Sequence, residues 1–304
     1  QDFLMDFKIS SFSLALLALL SACSNDDDTN NIDPATEIHI PDAQFESKLI
    51  SLGIDSDGVV NKKVLKSDAV QVEYLDVSSQ TVAEEIHDLS GIEGFPNLKR
   101  LFAIGNRLST IDLSQNVLLD TLDLSGNDLT EINLSQNKAL IKLDLKVNDL
   151  SEVTGLAAAT QLQWLNLSFN YFEEFILENP SVVNLLISHN DLVSIDVSAA
   201  TQLQSLYMPT NKLTQLDLTQ NTLLETIDVG DNQLPQIDFG NKPQLSYLSC
   251  FSNIRTHLDV STFEALDYLS ANRNPDLLCI KIEDGQDIPT LKLSEYQQTS
   301  EACN

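Results

Sequence analysis

Between Thr121 and Asn137 the chain reads TLDLSGNDLTEINLSQN. Apolar residues alternate with polar ones in two short bursts, Leu122/Leu124 and Ile132/Leu134. Alternation over so few residues predicts half-buried strands rather than an amphipathic helix. Each burst stops after two apolar positions, and an asparagine follows three residues later in both, at Asn127 and Asn137. Asparagine is depleted in strands and favoured in turns. The pattern therefore predicts strand, turn, short strand, turn.

The pattern returns with a lag of about 21 residues. Asn106, Asn148, Asn170, Asn190, Asn211, Asn232, Asn253 and Asn274 stand where Asn127 stands, at steps of 21, 21, 22, 20, 21, 21, 21 and 21 along the series. Five residues before each comes Leu or Ile, from Leu101 to Leu269. Three before comes a second apolar residue, from Ala103 to Ala271. The stretch VEYLDVSSQ is a tenth, degenerate copy with Gln80 in the asparagine place. A fixed period of this length marks a solenoid, each repeat one coil burying its apolar face against its neighbours. A turn made inside such a stack leaves backbone N–H and C=O groups without ladder partners. A side-chain amide carries two donors and an acceptor, so each asparagine is expected to serve its own coil and the next. The nine asparagines are read as structural, not as binding residues. The second apolar pair, from Ile111/Leu113 to Leu258/Val260, predicts a short strand or turn on the opposite side. IHDLSGIEGFPNL and VTGLAAATQL predict helical turns.

The motif LxxLxLxxNxL is that of leucine-rich repeats. IPDAQFESKL, the DLSQN units, LSGIEGFPNL and NPDLLCI resemble the surface lipoproteins of Bacteroidota, related in style to internalins. The resemblance implies a mostly β solenoid of the α/β leucine-rich-repeat type, with a curved parallel sheet on the concave side, few short helices and a helical N-terminal cap. It also implies an outer-surface protein that binds other macromolecules. Relatives of this kind often carry a calcium loop after the first helix. Here DSDGVVNKK keeps only Asp55, Asp57 and Gly58 of it, and Val64 falls where a bidentate Glu belongs. Calcium needs about six oxygens at set positions, so a plain turn and no metal are expected.

The ends fit the same picture. Met5 marks an expected start, and FSLALLALL (Phe12–Leu20) is an apolar run of signal-peptide length. LSAC follows and resembles a lipobox, making Cys23 the lipidated N-terminus; an ordinary signal peptide is the alternative. Ser24–Glu37 is polar and acidic, and is expected to be a disordered tether. Its SNDDD resembles a surface-export signal, or is a spacer. The expected division is signal peptide 1–22, tether 23–37, N-terminal cap 38–71, about ten coils over 72–277, and C-terminal cap 278–304. The cap helix is expected over Ile40–Gly53, burying Phe45, Leu49 and Ile50. Cys250 falls on an inward position. Cys279 and Cys303 are left to pair, two free thiols being the alternative, and an exported protein permits the bond.

Composition narrows the function. The net charge is −28, from 45 acidic and 17 basic residues. Such a chain repels nucleic acid and anionic lipid, so membrane contact is expected through the lipid anchor alone. The four histidines are far apart, and no HExxH, GxSxG or glycine-rich phosphate loop occurs. No enzymatic activity and no cofactor are expected. Asp123 and Asp144 are neighbours on the expected sheet, but Lys142 and Lys146 are expected to neutralise them. On the outward sheet face Phe102, Trp164, Leu186, Tyr207, Tyr247 and Phe251 form a broken apolar track. The expected function is a cell-surface module at the outer membrane, offering this concave track to a protein partner. A glycan ligand and a structural envelope role are the alternatives.

Overall fold

The computed structural model describes residues 36–303. The expected signal peptide, Cys23 and the tether up to residue 35 lie outside the described residues. No helix among the described residues is long and apolar enough to cross a membrane.

The chain opens with β1 (Glu37–His39), α1 (Ala43–Ser51), β2 (Lys63–Leu65) and the single turn α2 (Lys66–Ala69). β1 and β2 pair antiparallel, Ile38 opposite Val64. Asp42 starts α1, its Oδ1 accepting from the amides of Gln44 and Phe45; such a cap contributes about 1 kcal/mol. The helix buries Phe45, Glu46 and Leu49. Ile50, expected inside, is only half-buried, and the carboxylate of Glu46 is inside instead. Its Oε1 accepts from the amides of Asn61 and Lys63, which fastens β2 to the helix.

The coils then follow: β3 (Tyr74–Asp76), β4 (Arg100–Phe102), β5 (Thr121–Asp123), β6 (Lys142–Asp144), β7 (Trp164–Asn166), β8 (Glu174–Ile176), β9 (Asn184–Leu186), β10 (Ser194–Asp196), β11 (Ser205–Tyr207), β12 (Thr226–Asp228), β13 (Tyr247–Ser249), β14 (Leu258–Asp259), β15 (Tyr268–Ser270), β16 (Cys279–Lys281), β17 (Thr290–Lys292) and β18 (Gln298–Ser300). Eleven of them, β3, β4, β5, β6, β7, β9, β11, β12, β13, β15 and β17, form one parallel sheet in chain order. Its register is in step, so the middle residues Leu75, Leu101, Leu122, Leu143 and Leu165 face inward side by side. All five are fully buried, each stabilising the stack by about 2 kcal/mol. The opposite side carries the second strands in two smaller sheets, β8–β10 and β14–β16–β18. The two expected helical turns are 3-10 turns at Ile92–Gly94 and Leu156–Ala158.

Each of the nine asparagines is buried between coils. Asn127 Nδ2 donates to the carbonyls of Leu124 in its own coil and Ala103 in the preceding one, both at 2.9 Å, while its Oδ1 accepts from Leu108 N. The rung reaches back to the preceding coil, not forward to the next. Gln80 takes no part: it is exposed, and the ladder begins with Asn106, bonded to Val77 O and Ile86 N.

A second buried ladder runs along the other turn. Nδ2 of Asn116, Asn137, Asn179 and Asn221 each donates to two carbonyls of the preceding coil. One coil later a lysine takes the place. Lys242 is 1% exposed, and its Nζ donates to Leu218 O at 2.9 Å and to the carbonyls of Phe239 and Asn241. Burial pulls this ammonium down to about 8, although Asp217 and Asp238 oppose the shift.

Of the expected cap, 278–304, the described residues 278–303 extend the stack: β17 joins the large sheet and β16 and β18 the smaller one. Gln297 ends the first ladder, its Nε2 donating to Ala271 O at 3.0 Å. Cys279 and Cys303 are joined as a disulfide with Cα atoms 5.7 Å apart. Closing its loop of 24 residues stabilises by about 3 kcal/mol in the chain-entropy account. Cys250 is a buried free thiol.

Candidate interaction surface

In each strand of the large sheet the middle residue faces the core, and the first and third face out on the concave side. Alternation of side chains makes this obligatory. Residues two places beyond each strand extend the same face. Arg100, Lys142, Trp164, Tyr247 and Tyr268 lie along the first position. Phe102, Asp144, Leu186, Tyr207 and Lys292 lie along the third. Phe251 lies two places beyond its strand.

The six expected track residues thus fall into separate groups. Phe102 is half-buried and tilts against Tyr74, ring centroids 5.6 Å apart. Trp164 is half-buried beneath Lys142, whose Nζ stands 4.7 Å from the ring centroid. Leu186 and Tyr207 are direct cross-strand partners, and Tyr207 is 37% exposed. Tyr247 stacks flat on Tyr268, centroids 4.3 Å apart and planes 6° apart. Phe251 lies on Gly230, where a Cβ would come within 2.1 Å of Phe251 Cε1, and Arg273 covers it at 5.0 Å. Glycine is required at position 230 because the ring takes the volume of a side chain.

Tyr74 and Tyr268 complete two of these groups and were not in the expected track. Tyr268 could have been found by its spacing, 21 residues after Tyr247 at the same strand position. At the rim, Phe169 stacks on His189 with centroids 4.2 Å apart. Both occupy the residue before a ladder asparagine, a place with left-handed backbone, φ 58° and 53°. Gly105 and Gly126 fill the equivalent places of earlier coils.

Charges on this face are set by burial more than by pairing. Asp144 is 4% exposed, and its carboxyl is held above the usual carboxylate range. Burial is the main cause, with Asp123 adding to it. The Lys146 amide, at 3.1 Å, and the Lys146 ammonium, at 3.7 Å, pull the other way. The expected neutralisation by two lysines is therefore incorrect: Lys142 lies over Trp164, and desolvation outweighs Lys146. Tyr247 is pushed up to about 12, first by burial and then by Asp228. Tyr268 is lowered, chiefly by its hydrogen bond with Lys292.

The Asp55 loop holds no metal-ligand set; among the described residues no three His, Cys, Asp or Glu side chains come together as ligands. Asp55 is 4% exposed, and burial, with Asp57 next, pushes its carboxyl up to about 6.

No protein-family model matches this chain, and no curated protein matches it. Solved structures do. The functional domain of InlJ from Listeria monocytogenes superposes with a TM-score of 0.72 at 24% identity, over 87% of this chain and 62% of that domain. The leucine-rich repeat domain of APL1 superposes with a TM-score of 0.61 at 23% identity, over 78% of this chain and 74% of that one. The ectodomain of the receptor kinase GASSHO1/SCHENGEN3 from Arabidopsis thaliana, solved in complex with CASPARIAN STRIP INTEGRITY FACTOR 2, superposes with a TM-score of 0.51 at 22% identity, over 68% of this chain and 28% of that one. The chain spans under two thirds of the InlJ domain. With a 21-residue coil, an in-register parallel sheet and a buried asparagine ladder, it has the leucine-rich repeat fold.

Proposed function

We propose that this protein is a non-enzymatic binding module whose concave sheet face holds a protein partner. One observation carries the reading: aromatic side chains recur on the outward positions of a sheet whose inward positions, from Leu75 to Leu269, are fully buried leucines and one isoleucine. Rings held on a rigid platform make anchors at low entropic cost. The complex of the GASSHO1 ectodomain supports it by analogy of fold. A glycan is the weaker reading, because sugar stacking needs free ring faces. Lys142, Arg273 and Lys292 stand over Trp164, Phe251 and Tyr268. Display outside the outer membrane through a lipid on Cys23 belongs to the same proposal, with the lipobox as its support.

A protein and glycan array with the protein identifies the ligand class. Calorimetry against the strongest protein hit then compares Trp164→Ala and Tyr207→Ala with Glu131→Ala. Each ring truncation is expected to cost over about 1 kcal/mol in binding, the control almost nothing. Full affinity in both ring variants moves the site off the concave face. Labelled-lipid incorporation that persists in Cys23→Ala removes the anchor.

A further inference from the structure

A cleft of about 380 Å³ opens on the side of the stack away from the large sheet, between the coil of Glu152 and that of β8. It owes its existence to a local break in the repeat. One coil earlier the second strands touch, Asn133 bridging to Thr154. Beyond Thr154 the chain turns at Gly155, whose backbone lies so close to Ser135 that a Cβ would come within 2.3 Å of its amide nitrogen. The 3-10 turn Leu156–Ala158 follows, and β8 is left with β10 as its single strand neighbour.

The floor of the cleft is apolar, with Leu156, Phe172 and Phe175 buried beneath it. Ile176, on the outward face of β8, is 65% exposed. Glu174 and Glu178 lie two residues to either side on that face, and Glu152 lines the opposite wall. Glu174 and Glu178 form no ion pair or hydrogen bond among the described residues. Glu152 accepts one bond, from Thr154 Oγ1 at 3.2 Å. An exposed isoleucine between two unpaired carboxylates, beside a strand with one free edge, is an arrangement that a solvated face does not need.

We infer that this cleft docks an extended, basic segment of a partner protein, one in which lysine or arginine flanks an apolar residue. The apolar residue covers Ile176 and the floor. The flanking aliphatic stems lie along the walls and their cationic heads meet Glu152, Glu174 and Glu178. The free edge of β8 offers its backbone to the segment, as in strand addition. The cleft is at the small end of the range for ligand sites, which suits a few side chains rather than a whole domain. The charge of −28 draws such a segment in from a distance. This site is separate from the concave face, so either reading can fail without the other.

The probe is the peptide acetyl-Lys-Leu-Lys-Leu-Lys-amide, titrated into the full chain by calorimetry, with the Glu-for-Lys peptide beside it. Binding of the lysine peptide alone is expected. The double variant Glu174→Gln/Glu178→Gln is expected to weaken it about tenfold, as two exposed ion pairs imply. Ile176→Lys is expected to abolish it. Raising salt to about 0.3 M is expected to weaken the wild type more than the variant. The charge-matched control Glu225→Gln/Glu264→Gln is expected to bind as wild type. Equal loss in that control means attraction to bulk charge and overturns the site, as does undiminished binding in the cleft variants. Melting curves identify any variant that has lost its fold, and loss with an intact melt is what supports the site.

Discussion

Lys242→Asn restores the residue type that the second ladder uses at Asn221. The effect can be worked from the rung itself. The ammonium is buried, and its pKa falls from 10.5 to about 8. Holding it charged at pH 7 therefore costs about 3 kcal/mol. The native state binds its proton less tightly than the unfolded chain does, so stability from this group rises as pH goes up through 8. The gain is complete above 10.5 and is lost again as pH falls through 8. Against the charge stands the aliphatic stem, about three methylenes longer than an asparagine side chain, whose burial contributes about 2 kcal/mol. The asparagine amide reaches the same kind of carbonyl: Lys242 donates to Leu218 O, 24 residues back, as Asn221 donates to Val197 O. At pH 7 the variant is expected to be more stable by about 1 kcal/mol. By pH 10 the wild type has regained about 2 to 3 kcal/mol, and the order reverses. Guanidinium unfolding of both proteins at pH 7, 8, 9 and 10 measures the difference. Tyrosines and other lysines titrate in both proteins and cancel. A difference that stays constant over this range refutes the assignment of the buried charge.

Asp55→Asn addresses the opposite case. The raised carboxyl favours the folded state below about pH 4, and that stability is lost as pH rises through 6. The variant is expected to be more stable at pH 7 by up to about 3 kcal/mol, with the gap closing near pH 4; a pH-independent gap in urea titrations contradicts this. Asn148→Ala removes two donors and an acceptor from Leu124, Leu145 and Leu129. It is expected to lower stability by about 1–3 kcal/mol, and a melting midpoint equal to wild type argues against the ladder. Gly230→Ala is expected to lift Phe251 off its seat and alter the near-ultraviolet circular dichroism; an unchanged spectrum means the ring is held elsewhere.

The coil was legible because its signal repeats. Nine asparagines at a near-constant lag outweigh any single irregularity, and the leucine between two polar residues fixes which face is outward. The sheet, the ladder and the positions of Trp164 and Tyr207 follow from that register. What was not legible depends on one residue meeting one environment. Asn137 was as visible as Asn127, but Ala158 and Ala200 occupy two of its rungs, so the asparagines of the second ladder recur at 21, 42 and 42 residues and not at every coil. Lys242 looks like a surface charge in FGNKPQ, and only the fold shows that its Nζ is surrounded by carbonyls. Asp144 was read from the signs of its neighbours, whereas its burial decides its proton affinity. Gln297 escaped because the last coil is longer, and a longer side chain makes up the distance.

From Asn127 on, each rung of the asparagine ladder ties a coil to itself and to the coil before it, and to nothing farther away. The solution found for one coil is therefore portable. Excising residues 127–147 would bring Asn148 against the coil of Asn106 in the register that Asn127 now holds, since both steps are 21 residues. Length becomes a quantity that duplication and deletion of a single block of gene can change while every junction stays native-like. The breadth of the concave surface is then set by the number of coils, independently of the chemistry of any one coil.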